Sequence, residues 1–319
     1  NGIDKTVGQP TDKNNLLGQA LTYRAWAYFN LVQFYGKRFV KGAANDGLGV
    51  PLVLTNTIEP QARATVAAVY TQINKDLNDA AVLLTATRPD KSNLNLSVVL
   101  GIQARVALTQ QEWAIAATKA AAARTGYTLM NTAAQFADGS STWTNPEWMW
   151  GSSQIDDQTE YFTAYLAYIS YNFNSTNIRT NPKLISRSLY NTMATNDLRR
   201  ALWVVTPTAA NSITPPGGSR VAYMNQKFKA KSDANSVGDI PYMRAAEMFL
   251  IEAEALARNN NESGSKTVFT TFMKTRVPTY TTSTSTGDAY ITEIMDSRRV
   301  ELWGEGFRFF DLKRLNLSL

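Results

Sequence analysis

The sequence predicts a mainly α-helical fold in which helix pairs flank an irregular, loop-rich region. Three observations carry that expectation. Apolar residues recur with helical period over the first third of the 319-residue chain and again near its end. Periodicity fails between Asn131 and Asp239, where Thr, Asn, Ser, Gly and Pro take over. Strand-like alternation is confined to short runs. Hydrophobic residues make up 44 % of the chain and charged residues 18 %, a composition that can bury a core rather than stay disordered.

The first predicted helix is "LLGQALTYRAWAYFNLVQFYG". Leu17, Leu21, Ala25, Tyr28, Val32 and Tyr35 form one apolar set, and Ala20, Ala27, Leu31 and Phe34 a second. A helix apolar nearly all round is expected to be largely buried, and Gly36 is placed to end it. "ATVAAVYTQINKDLNDAAVLLTAT" carries Val66, Val69, Tyr70, Ile73, Leu77, Ala80, Ala81 and Leu84 on one stripe, with Thr65 as N-cap. "SVVLGIQARVALTQQEWAIAATKAAAARTGY" reads as two helices joined by a turn at 109–111. Its Ala104, Ala107, Ala116, Ala120 and Ala123 have the spacing that a tetratricopeptide-like pair needs for close packing.

"TPPGGS" at Thr214 to Ser219 is a loop. Helical order returns at "YMRAAEMFLIEAEALAR", with Tyr242, Ala246, Phe249, Ala253 and Leu256 on one face. The Thr/Ser-rich "TYTTSTSTGD" precedes a last helix from Ile291 to about Trp303. No apolar run reaches the ~18 residues of a membrane helix.

The absence of Cys and His removes disulfides, thiolate nucleophiles, imidazole bases and Cys/His metal sites. Carboxylates are the remaining acid/base pairs, and neither a cofactor nor a metal is predicted. Asp156, Asp157 and Glu160 could serve a glycoside hydrolase or hold an adventitious Ca²⁺, but a solvated loop fits them better. The net charge is +6, with Lys and Arg spread from Lys5 to Arg314 and a loose cluster at Arg220, Lys227, Lys229 and Lys231. That distribution does not predict nucleic-acid binding.

Near the end, "SRRVELWGEGFRFFDLKRL" interleaves charge with aromatics. Glu301, Glu305, Arg308, Asp311 and Arg314 lie three to four residues apart and are spaced to pair. Gly304 and Gly306 would let the backbone turn, and Trp303, Phe307 and Phe310 would anchor the segment. Arg forks on carboxylates under aromatic cover suit a structural lock better than catalysis.

Four blocks resemble the SusD/RagB family of outer-membrane nutrient-binding lipoproteins. "LTYRAWAYFNLVQFYG" resembles its early helix, "VVLGIQARVALTQQEWAIAATKA" its alanine-rich helix pair, and "YMRAAEMFLIEAEALAR" its "YRLAE" helix. In the closing block Arg298, Arg299, Glu301, Leu302, Glu305, Gly306, Arg308, Asp311, Leu312 and Arg314 match position by position, with departures at Ser297, Trp303 and Phe307. The resemblance implies one SusD-like domain over 1–319, with a helical scaffold at 16–130 and 240–315 and a ligand region at 131–239. It implies capture of oligosaccharides or polysaccharides without catalysis, at the external face of the outer membrane, for a SusC-like TonB-dependent transporter. It also implies a lipidated N-terminal Cys and a further helical region outside this chain.

The aromatics of the irregular region suit a sugar, because Trp and Tyr rings offer an apolar face and a polar edge. Trp143, Trp148, Trp150, Tyr161, Tyr165, Tyr168 and Tyr171 are the candidate ligand contacts. The helical spacing of Tyr161, Tyr165 and Tyr168 suits a packed core equally well. A helical protein-interaction scaffold is the other reading.

Overall fold

The computed structural model describes residues 6–139, 141–158, 160, 162–211, 215 and 217–318, which hold twelve α-helices and six short strands. They form two compact units, one running to Thr125 and resuming at Arg308, the other spanning Gly126–Phe307.

The first unit opens with α1 (Pro10–Tyr35), which has Pro at its first turn, where a missing N–H costs nothing. Strands β1 (Leu48–Pro51) and β2 (Arg63–Thr65) pair antiparallel. α2 (Val66–Leu83) starts where Thr65 accepts the Ala68 N–H at 3.1 Å, as the capping pattern predicts. Val69, Ile73, Leu77 and Ala80 of α2 and Ala25 and Val32 of α1 are buried, and Arg24 forks onto the buried Asp76 at 2.6 and 2.7 Å. α3 (Leu96–Thr109) is capped by Asn95, turns at Gln111 with φ +61°, and leads into α4 (Trp113–Ala123). Ala104, Ala107, Ala116, Ala120 and Ala123 are all buried, so small side chains set this close helix pair.

One expectation for α1 changes. Leu16, Tyr23, Leu31, Phe34 and Tyr35 are exposed, so the helix is half uncovered rather than largely buried. Gly36 ends the helix as expected, with φ −89°. Glycine is needed there because a Cβ would lie 2.7 Å from the Val32 carbonyl oxygen.

The second unit begins with α5 (Ala133–Gly139), β3 (Trp148–Ser153), and the one-turn helices α6 (Tyr165–Ile169), α7 (Thr176–Thr180) and α8 (Arg187–Tyr190). Strands β4 (Trp203–Val204) and β5 (Met224–Asn225) pair antiparallel, and β6 (Asp239–Arg244) pairs antiparallel with β3. α9 (Ala245–Arg258), α10 (Glu262–Lys274) and α11 (Gly287–Glu301) follow, and α12 (Phe307–Leu315) returns the chain to the first unit. Tyr242 to Arg244 belong to β6, so the helix predicted from Tyr242 begins three residues later. α10 is an element the periodicity did not predict. It packs on α9 with Phe269, Phe272 and Met273 buried, and Ser265 donates to the Ala253 carbonyl at 2.6 Å.

Two small cores support the irregular stretch. One gathers Met130, Phe136, Ile185, Leu202, Trp203 and Val300, the other Leu166, Phe173, Ile178 and Phe228. Among the described residues no helix is long and apolar enough to cross a membrane.

Candidate functional site

The charged residues of the closing block form part of a buried lattice that ties the irregular region to helix ends. Arg244, closing β6, contacts Glu147 just before β3 and Glu301 at 2.9 Å, and forks onto Glu305 at 2.6 and 3.0 Å. Arg276, after α10, reaches Glu147 and Glu301 at 2.9 Å each and donates to the Met130 carbonyl at 2.7 Å. Arg199 bridges Asp197 at 2.7 Å and Glu301 at 3.3 Å. Lys227 donates to Glu305 at 2.6 Å and to the carbonyls of Glu301 and Trp303 at 2.7 and 2.9 Å. Four cations thus meet four carboxylates, nearly every one shut from water.

Electrostatics follow from that balance. Burial alone would raise the Glu301 carboxyl, but Arg276, Arg244 and Arg199 hold it well below the usual carboxylate range. Glu305 is lowered in the same way, against burial, by Arg244 and Lys227. Burial pulls the Lys227 ammonium down by more than Glu305 restores. Carboxylates kept ionised this way have no proton to donate, so neither Glu301 nor Glu305 is placed to act as a general acid.

The spacing of this block predicts local pairing, which the structure corrects. Glu301 and Glu305 find their partners in distant segments, and Asp311 with Arg314 is the buried i,i+3 pair, at 2.9 Å. Arg298 is buried with its guanidinium over Phe307 at 5.3 Å, Arg299 pairs with Asp296 at the half-exposed surface, and Arg308 is exposed. Gly304 and Gly306 take φ +78° and +87°, where side chains are strained. A Cβ on Gly304 would also lie 2.5 Å from the Phe228 ring. Trp303 packs edge-on against Trp203 and stacks on Phe228.

The candidate ligand aromatics divide by burial. Trp148 and Trp150 are 0 % and 2 % exposed in β3, so they stiffen the sheet and turn no ring face to solvent. Tyr165 donates its hydroxyl to the Gly304 carbonyl at 3.0 Å and meets Phe228 edge-on. Tyr168 is exposed, Tyr171 and Trp143 are half-buried, and Tyr161 lies outside the described residues. Two further rings are exposed: Phe162, which belongs to the same aromatic-rich run, and Tyr242, which lies on β6 rather than in a helix core, edge-on to Trp150, with its hydroxyl 3.2 Å from Ser152 Oγ.

A polar web holds these loops in register. Asp239 accepts from the Trp143 backbone N–H and from Ser153 Oγ at 2.8 Å each, and pairs with Lys231 at 3.1 Å. Lys231 also donates to the Gln154 carbonyl, and Asn235 to Asp156 at 3.1 Å. Asp156 and Asp157 sit exposed in a 3-10 turn, and no metal-binding group of carboxylates gathers among the described residues. A separate cavity of about 420 Å³ lies between the 192–199 loop and α11. Its Glu293 already accepts from Tyr280 at 2.8 Å and from Ser283.

The family model for the SusD family matches residues 117–318, and a second model, described as starch-binding associating with outer membrane, matches residues 2–108. No curated protein sequence matches the chain. Among solved structures, a SusD-like carbohydrate binding protein from Bacteroides vulgatus is 27 % identical with a TM-score of 0.82, over 99 % of this chain and 66 % of that one. A SusD superfamily protein from Bacteroides thetaiotaomicron is 20 % identical with a TM-score of 0.84, over 99 % of this chain and 71 % of that one. A laminarin binding SusD-like protein is 21 % identical with a TM-score of 0.73, over 98 % and 73 %. The chain therefore spans roughly two thirds of the length of the first of these structures.

Proposed function

The chain belongs to the SusD family, and from that premise we propose that it captures oligosaccharides or polysaccharides without cleaving them and passes them to a SusC-type TonB-dependent transporter. Its place is the external face of the outer membrane, held there by a lipid anchor on the complete protein. The observation that carries the binding reading is the family match over residues 117–318, which takes in the whole irregular region, together with the 27 % identical relative that is a carbohydrate binding protein. The outer-membrane location draws on the second family model, whose description names association with that membrane.

The site chemistry favours binding over hydrolysis. Exposed and half-exposed rings on loops pinned by a rigid lattice are what sugar stacking needs. Hydrolysis needs two carboxyls across the scissile bond with one protonated. Glu301 and Glu305 are buried and held ionised, and Asp156 and Asp157 are neighbours on an exposed turn.

The deciding experiment is a panel of soluble polysaccharides screened by affinity electrophoresis and calorimetry. Retarded migration on at least one glycan, with no reducing-end release, is the expected result. A protein that binds none of them, yet captures a folded protein partner, would replace this reading with the helical interaction scaffold. Reducing-end release that disappears in Asp156→Asn/Asp157→Asn would replace it with the hydrolase.

A further inference from the structure

The net charge of +6 is not evenly distributed. Residues 161–232 hold nine Lys and Arg and one acid, Asp197, while the rest of the chain carries 23 basic and 25 acidic side chains. The whole positive excess therefore falls in the loop-rich region. Three of the nine cations are neutralised in place: Arg199 by Asp197 and Glu301, Lys227 by Glu305, and Lys231 by Asp239. No carboxylate lies within salt-bridge distance of Arg179, Lys183, Arg187, Arg200, Arg220 or Lys229 among the described residues.

Five of these six gather along one seam. The 179–187 segment runs beside 219–225, with the Ser219 N–H on the Arg179 carbonyl at 2.8 Å, the Asn225 N–H on the Lys183 carbonyl at 2.8 Å, and the Ile185 N–H on the Tyr223 carbonyl at 3.2 Å. That pairing brings Arg179, Lys183, Arg187 and Arg220 together. Tyr223 meets Tyr190 edge-on at 5.2 Å, and the Arg200 guanidinium lies 4.3 Å over the Tyr190 ring. Arg187 and Arg220 are exposed, as are the apolar Leu184 and Val221 beside them. Arg179 is held in place by Asn174 Oδ1 at 2.8 Å and Thr176 Oγ1 at 3.2 Å.

A solvated surface usually mixes signs, because like charges repel. Here one sign is collected without counter-charge, on guanidiniums partly fixed by neutral acceptors and next to aromatic rings. Fixed Arg forks match planar or tetrahedral anions, and the exposed aliphatics Leu184 and Val221 match the apolar face of a sugar. We propose that the seam of 179–187 and 219–225 takes the carboxylate or sulfate groups of an acidic glycan, which rests on the glycan-binding reading above and names its substrate class. The neutral and the acidic parts of one ligand would then be read by different groups of the same loop region: rings for the sugar faces, arginines for the charge.

Calorimetry on the whole chain tests this with four polymers: polygalacturonate for carboxylate, dextran sulfate for sulfate, laminarin for a neutral glycan, and duplex DNA. At least one acidic glycan should bind, about tenfold more weakly when salt rises from about 50 to about 300 mM, because screening shortens the reach of surface charge. Arg187→Gln/Arg220→Gln, both at exposed positions, should weaken that glycan about tenfold with an unchanged melting temperature. Whichever acidic polymer binds identifies carboxylate or sulfate as the anion read. Binding of laminarin with indifference to both acidic glycans would overturn this inference and leave glycan capture standing. No binding to any glycan would remove glycan capture itself. Duplex DNA bound as tightly as the acidic glycans would show an unselective polyanion face and overturn the inference as well.

Discussion

Arg244 and Glu305, 61 residues apart in sequence, form a two-pronged ion pair at 2.6 and 3.0 Å with both side chains almost wholly buried. Arg244 sits where β6 becomes α9, and Glu305 lies in the glycine turn between α11 and α12. Through them, and through Glu147, Arg199 and Lys227, the loops of the irregular region are fastened to the ends of three helices. Such a lattice contributes less net stability than an apolar core of equal volume, but it specifies one arrangement of its strands and turns. That is a useful property for a region whose own secondary structure is sparse.

Arg244→Met should destabilise the protein by about 3 to 5 kcal/mol, because Glu147, Glu301 and Glu305 would each lose a buried partner. Thermal unfolding followed by circular dichroism reads this as a lowered midpoint. A variant that melts with the parent protein would show that the lattice does not hold the fold.

Acid should loosen the same lattice. Glu301 and Glu305 are both held below the ordinary carboxylate value of 4.5 in the folded protein. Their contribution is complete above the unfolded value and is lost as pH falls through the folded one, since the unfolded chain takes up protons first. Urea midpoints measured from pH 7 to pH 3 should decline below about 4.5. Glu301→Gln, although less stable at pH 7, should show a shallower acid decline; an identical slope in both proteins would assign the effect to other carboxylates.

Asp311 and Arg308, three residues apart in α12, should behave differently. Asp311 is buried against Arg314, so Asp311→Ala removes the carboxylate of a buried ion pair and should cost about 3 kcal/mol or more. Arg308 is exposed, and Arg308→Ala should cost no more than about 1 kcal/mol, the range of surface pairs. Equal losses from the two substitutions would contradict this division of the block.

Local physics was legible in the sequence, and long-range pairing was not. The Thr65 cap and the alanine spacing of α3 and α4 are interactions within a few residues or between adjacent helices, so pattern alone places them. α10 escaped because Thr, Ser and Gly fill its sequence and only Phe269, Phe272 and Met273 mark its buried face. Tyr242 was misassigned because its strand partner lies some 90 residues earlier in the chain. For α1, an all-round apolar pattern does not distinguish a helix that is covered from one whose outer face, Tyr23 to Phe34, is exposed. The same limit applies to the site. Aromatic content singles out a region, but Trp148 in the core and Tyr168 at the surface are identical to a composition count.

That difference in burial leads to opposite outcomes for two aromatic substitutions. Tyr168 is 50 % exposed on α6, where a ring can meet a sugar face without any change in packing. Tyr168→Ala should leave the melting temperature nearly unchanged and weaken binding of whichever glycan the panel identifies by about 0.5 to 1.5 kcal/mol, the scale of ring stacking. Trp148 is fully buried at the Arg244 register of the β3–β6 pair, so Trp148→Ala should open a cavity and destabilise the protein by about 3 to 5 kcal/mol. Calorimetric titration beside thermal unfolding separates the two effects. If Tyr168→Ala and the matching Tyr171→Ala and Trp143→Ala proteins all fold and all bind glycan with unchanged affinity, stacking by these loops is not the source of binding. The ligand contacts would then have to be sought among the exposed rings of Phe162 and Tyr242, which the same titration can test one substitution at a time.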